Sequence, residues 1–180
     1  MLNSDEANKN LKFLSYLNQF SILINKLCCV ICVILGLLLV SMITLEVFFR
    51  YVVGNALSWP EEIAGFVFVW FSMLGAAICL FKKAHVSVMF AVNHFNEKIR
   101  FHVQNCIHIV IILFSYILIE RGHALLNIVS GQLSAAIQIN MVWEYAAMPV
   151  TGVIFILYSI VSILNNLFTG NDAIRGDLKS

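Results

Sequence analysis

The chain has 180 residues, of which 61% are hydrophobic and only 12% charged, with a formal net charge of +1 and a mean hydropathy of +0.89. A soluble domain carries about 25% charged residues, so this composition excludes an ordinary globular enzyme, and nothing in the charge balance calls for nucleic acid as a partner. The apolar residues fall in long blocks, each near the ~20 residues that one bilayer-spanning helix needs, and the pattern predicts an all-α integral membrane protein with four transmembrane helices.

Residues 1–8 are polar. From Lys9 to Lys26 the pattern turns amphipathic, with Phe13, Tyr16, Leu17, Phe20, Leu23 and Ile24 on one side and Lys12, Ser15, Asn18, Gln19, Asn25 and Lys26 on the other. That spacing predicts a helix lying in the membrane–water interface, so residues 1–26 read as a cytoplasmic tail plus an interfacial helix. A membrane domain over 27–168 follows, and 169–180 reads as a second cytoplasmic tail. The first span, 27–49, is longer than the 7–15 apolar residues of a signal peptide and is read as a retained anchor. Glu46 and Arg50, four apart near its end, share a helix face and can pair.

Tyr51 to Leu57 reads as a turn carrying the loop signal Gly54-Asn55. Ser58-Trp59-Pro60-Glu61 then predicts a helix start, with Ser58 as cap, Glu61 completing a capping box and Pro60 tolerated in the first turn. Glu61 and Glu62 favour the positive end of that helix, and Arg50 stands across the turn where it can reach Glu46, Glu61 or Glu62. The second span, 63–81, holds Gly75-Ala76-Ala77, a small-residue patch suited to close helix approach. Residues 84–98, which include His85, are too short and interrupted to span and predict a short surface helix. The third span covers 99–119, with a pattern that continues towards Val129. The fourth, 142–168, begins with Trp143 and Tyr145, suited to an interfacial aromatic belt, and carries Pro149 one turn in, where it bends or loosens the helix.

Of the eleven Lys and Arg residues, nine lie in the N-terminal segment, the loop between spans two and three, or the C-terminal tail. Only Arg50 and Arg121 lie on the opposite side. By the positive-inside rule both termini are cytoplasmic and the Arg50–Glu62 turn faces outward.

Motif chemistry is sparse. The five cysteines all sit in apolar runs, where a thiol behaves as a small hydrophobe. Cys28 and Cys32 share a face, but no His or acid near them completes a metal site. Gly-rich phosphate loops and His-x-x-x-His pairs are missing, and no enzyme or cofactor is expected. Intramembrane ionisable groups are functional suspects. His108 therefore keeps open a haem-bearing membrane anchor of a respiratory enzyme, although the other histidines fall at or beyond span boundaries. Glu46 keeps open a free-standing proton-coupled small transporter, although it lies near a span end. The remaining reading is an accessory helix set that packs on a larger partner.

Several residues in order match a known pattern: Arg50 closing the first span, Trp59-Pro-Glu-Glu62 opening the second, Gly75 within it, His85-Val-Ser-Val after Lys82-Lys83, and Trp143-x-Tyr145-x-x-x-Pro149-x-x-Gly152 opening the fourth. Over roughly residues 27–168 the chain resembles the small membrane subunit, the Q or DctQ-type component, of tripartite ATP-independent periplasmic (TRAP) transporters. Met89 stands where that family often has an Asp. The resemblance implies an inner-membrane scaffold subunit paired with a large many-span M subunit that carries the substrate and Na+ sites. It also implies a periplasmic binding protein that delivers an organic anion of the C4-dicarboxylate or sialic acid class. In that setting Glu46, Arg50, Trp59, Glu61 and Glu62 are candidates for the periplasmic-face interface, Gly75, Pro149 and Gly152 for helix packing, and His85 for a surface helix at the cytoplasmic face.

Overall fold

A computed structural model describes residues 4–82 and 97–177, and the side-chain surroundings of 12–82 and 102–167. Helix α1 runs over Ser4–Phe48, followed by a π-helical turn at Phe49–Val53, α2 at Ser58–Phe81, α3 at Glu97–Val129, α4 at Val142–Tyr145 and α5 at Ala147–Asp177. Among the described residues, extended structure is limited to an isolated antiparallel bridge between Leu133 and Asn140. Among the described residues four segments are long and apolar enough to cross a membrane: Lys12–Val53, Ser58–Phe81, His102–Val129 and Val142–Leu167. The protein is an all-α membrane protein.

Several boundaries differ from those expected. The interfacial helix predicted over Lys9–Lys26 is not a separate element, because α1 continues without a break through 45 residues. At 1.5 Å per residue it is roughly 68 Å long, about twice the ~30 Å hydrocarbon core. Within the stripe that suggested it, Phe13, Tyr16, Phe20 and Leu23 are all more than half exposed, while Leu17 and Ile24 are half-buried and Ile24 packs against the core. The buried positions there are Leu14, Ser21 and Cys28, a seven-residue spacing that keeps one seam towards a neighbouring helix. The stripe was expected on a separate interfacial helix, and what differs is that the same helix runs on unbroken into the first span. The surface helix expected over 84–98, His85 included, lies almost wholly outside the described residues; only Glu97 and Lys98 are seen, as the start of α3.

Helices α2 and α5 are the most buried spans. They pack on each other, α1 lies against α2 and also touches α5, and α3 lies against α5. Small residues set these approaches. On α1, the edge of the Phe71 ring lies 3.2 Å from where a Cβ on Gly36 would stand. Between α3 and α5, a Cβ on Gly122 would stand 2.9 Å from Pro149 Cδ, and one on Gly152 would stand 2.7 Å from Ile119 Cγ1 and 3.2 Å from the Ser115 carbonyl. Ala77, Leu80 and Tyr158 form the core, with the Phe81 and Tyr158 rings 5.0 Å apart. Outside this seam, Val33, Leu37, Val40, Leu113, Tyr116 and Ile117 are more than half exposed. Their helical backbone bonds are satisfied internally, as lipid requires.

The fourth span is broken. Pro149 has no N–H to donate and its ring crowds the carbonyl four residues back, that of Tyr145. Accordingly α4 ends at Tyr145 and α5 begins at Ala147, leaving Pro149 within the first turn of α5 where no intrahelical donor is needed.

Candidate functional site

The candidate residues gather where α1 turns into α2 and where the 130–141 loop leads into α4. Gly54 stops the π-helical turn with φ 75° and ψ 12°, and its N–H closes onto the Phe49 carbonyl. That left-handed conformation is routine only for glycine. Tyr51–Val53, expected as loop, are thereby helical, and the turn is confined to residues 54–57. Within it Arg50 Nη2 lies 2.6 Å from Glu46 Oε1, the arginine side chain 48% and the glutamate 15% exposed. Neither Glu61 nor Glu62 is in an ion pair with Arg50, so the wider charge cluster contracts to this i, i+4 pair.

The start of α2 also departs from expectation. Leu57, extended at φ −97° and ψ 129°, is the capping position and makes no side-chain cap bond. Ser58 is already helical, so it neither caps nor forms a box with Glu61. Pro60, third in the helix and fully buried, removes one of the donors a cap would serve. Trp59 is 38% exposed, and Glu61 faces outward.

Glu62 has a different partner altogether. Its Oε2 accepts from the backbone N–H of Ala136 at 2.9 Å and of Ile137 at 2.7 Å. Two convergent amides on one carboxylate oxygen make charge-assisted bonds, stronger than neutral ones. The loop thus held is ordered within itself. Asn140 Nδ2 donates to the Ser130 carbonyl at 2.8 Å, and its Oδ1 accepts from the Val142 N–H at 3.0 Å. Ser134, 3% exposed, exchanges bonds with Ile139, and Gln138 takes φ 56° at the tip. A few residues further on, Trp70 Nε1 donates to the Trp143 carbonyl at 2.8 Å, joining α2 to α4. Together these contacts weld α2, the loop and the α4–α5 break into one rigid end.

Of the packing candidates, Pro149 and Gly152 both lie in the α3–α5 contact already described. Gly75 does not: among the described residues a Cβ there meets nothing within 4 Å, and of its neighbours Ala77 is buried in the core while Ala76 is exposed. His108 points towards α5 and α2 and lines a cavity near the other end of the bundle. Among the described residues no group of three or more His, Cys, Asp or Glu side chains could hold a metal ion.

Sequence reasoning overlooked four contacts here: the loop amides on Glu62, the Trp70–Trp143 bond, Gly122 under Pro149, and the Asn18–Asn165 amide pair between α1 and α5. Asn140 two residues before α4 was a readable helix-entry signal. The others join residues far apart in the chain, and no local spacing announces them.

The fold and site together define a multi-pass helical membrane protein whose polar contacts tie one end of its helices to the connecting loop. Residues 39–169, more than two thirds of the chain, match the family of tripartite ATP-independent periplasmic transporters, DctQ component, and the chain belongs to that family. It is a small permease subunit of a TRAP transporter, a transporter component and not an enzyme, which sets aside the respiratory haem anchor. Among relatives, it is 28% identical over 137 residues to the sialic acid TRAP transporter permease protein SiaT of Haemophilus influenzae, covering 76% of this chain and 21% of that protein. The chain thus spans about a fifth of that relative's length. It is 25% identical over 129 residues to the sialic acid TRAP transporter small permease protein SiaQ of Vibrio cholerae, covering 71% of this chain and 73% of that one.

Proposed function

We propose that this subunit is the fixed scaffold of a Na+-coupled transporter for an organic anion of the sialic acid or C4-dicarboxylate class. It lies in the bacterial inner membrane with both termini cytoplasmic, the orientation favoured by the distribution of Lys and Arg. A large many-span subunit carries the substrate and Na+ sites and moves against it, and a periplasmic binding protein delivers the substrate at the end bearing Glu46, Arg50, Trp59, Glu61 and Glu62. This chain needs no cofactor of its own. The observation that carries the reading is the welded end. Glu62 on two loop amides, Trp70 on the Trp143 carbonyl and Gly122 against Pro149 suit a part that must hold still while a partner moves. The names of the two relatives favour sialic acid within the substrate class.

Affinity purification of the tagged chain from native membranes in mild detergent, followed by mass spectrometry, tests assembly. A polytopic protein in near-equal amount is expected. Proteoliposomes holding the pair, a binding protein and a Na+ gradient should accumulate labelled sialic acid, and those holding this chain alone should not. Uptake by this chain alone would overturn the scaffold reading.

A further inference from the structure

At the end away from the turn, α1, α2, α3 and α5 line a half-open cavity of about 220 Å³ whose polar lining is Asn18, Ser21, His108, Tyr158, Ser162 and Asn165. Ile22, 45% exposed, stands at its rim. Asn18 and Asn165 bond each other reciprocally, at 3.0 and 2.8 Å. Each amide keeps a second N–H and a second lone pair for another partner. Ser21 and Ser162 are 1% and 9% exposed, and neither hydroxyl has a hydrogen-bond partner among the described residues.

Several serine and threonine hydroxyls elsewhere are satisfied by their own helix, whereas Thr151 and Ser159, off the cavity, are buried without a partner among the described residues. Ser41, Thr44, Ser72 and Ser115 each donate to the carbonyl four residues back. Ser21 and Ser162 forgo that bond and face the cavity from opposite helices. A buried hydroxyl left unmatched is costly, and cavities that stay dry are apolar ones. None of the described lining residues is Asp, Glu, Lys or Arg, so the lining offers hydrogen bonds without a fixed charge.

We infer that this cavity is a binding site for uncharged hydroxyl groups, which bridge Ser21 on α1 to Ser162 on α5 beside the Asn18–Asn165 pair. The volume suits several waters at about 30 Å³ each, or a glycerol unit. Two sources supply that chemistry: ordered water, and the terminal glycerol of a phosphatidylglycerol headgroup entering past Ile22. In either case the occupant adds a polar tie between α1 and α5 beside the apolar contact of Ile24 with the core.

The test uses the full chain with its co-purified membrane partner in nanodiscs of phosphatidylethanolamine or phosphatidylglycerol. Ser21→Ala and Ser162→Ala are expected to lower the melting temperature by about 2–4 °C each, the shift of one lost bond in a protein of this size. Ser159→Ala is the control, because Ser159 is equally buried and unpartnered yet lies off the cavity; it is expected to leave the midpoint unchanged or raise it. If Ser21→Ala and Ser162→Ala also leave it unchanged or raise it, the site is refuted. X-ray hydroxyl-radical footprinting of the unmutated protein gives a second reading. Oxidation of Tyr158 above that of other buried rings supports bound water. A melting point raised by phosphatidylglycerol, with the gain lost in Ser162→Ala, supports the lipid source. Absence of both results overturns the proposal.

Discussion

The two ends of the bundle handle polar groups in opposite ways. At the turn end, side chains serve backbone: the Glu62 carboxylate takes two loop amides, the Asn140 amide ties a loop at both edges, and the Trp70 indole meets a carbonyl. At the end near the termini, side chains meet side chains, Asn18 with Asn165 at the polar cavity and Asn166 with Asn105 outside its lining. The first arrangement shapes irregular chain that has no helix of its own to satisfy it. The second joins helices whose backbones are already satisfied, and so specifies which helix lies beside which.

The largest effect should come from the glycine contact beneath the turn end. Gly152→Val forces a side chain into Ile119 and the Ser115 carbonyl, an overpacking expected to cost about 1–3 kcal/mol and to lower the melting temperature of the complex. Gly75→Ala, with open space around it, should be neutral or stabilising, up to ~1 kcal/mol from helix propensity. Equal losses in both variants would remove the distinction between internal and outward-facing glycines.

Next is the loop clamp. Glu62→Gln should speed hydrogen exchange at Ala136 and Ile137 roughly tenfold, since an amide oxygen accepts more weakly than a carboxylate. Glu61→Gln should leave those amides unchanged. If both variants exchange alike, the turn end is ordered by its own internal bonds and Glu62 is incidental.

At the opposite end, Asn18→Ala combined with Asn165→Ala in a double-mutant cycle should give a coupling of about 0.6 kcal/mol, the usual size of an interhelical hydrogen bond in a membrane. A coupling near zero would make α1 independent of α5 there. The smallest effect belongs to Arg50→Ala, which opens a pair whose arginine side chain is 48% exposed. It should change stability by about 0–1 kcal/mol, less in high salt. A substantial loss of uptake with stability unchanged would assign Arg50 a role in docking the binding protein.

Much of the architecture was legible in composition and punctuation. Block hydrophobicity located the spans, Gly54-Asn55 marked the loop after the first although the helical run reaches three residues further into it than expected, and Pro149 marked the break in the last. The start of α2 was read less well, because Ser58 and Glu61 carry the letters of a capping box while Pro60 lets the helix begin without one. The amphipathic stripe on early α1 was read as a separate interfacial helix, whereas α1 runs unbroken over Ser4–Phe48, because a change from an amphipathic to a wholly apolar pattern does not by itself interrupt a helix.

The sequence by itself determined that this is a four-span helical membrane subunit, because the hydrophobic cost of crossing a bilayer is local and additive along the chain. It also carried the order of residues that marks the DctQ family. Only the tertiary structure decided that Glu62 serves the 136–137 amides and leaves Arg50 to Glu46, that Gly122 lies under Pro149, and that Asn18 and Ser21 come to face Asn165 and Ser162. Those outcomes depend on which helix packs beside which and in what register, and hydrogen bonds that act over 3 Å leave no trace in spacing when their partners lie more than seventy residues apart.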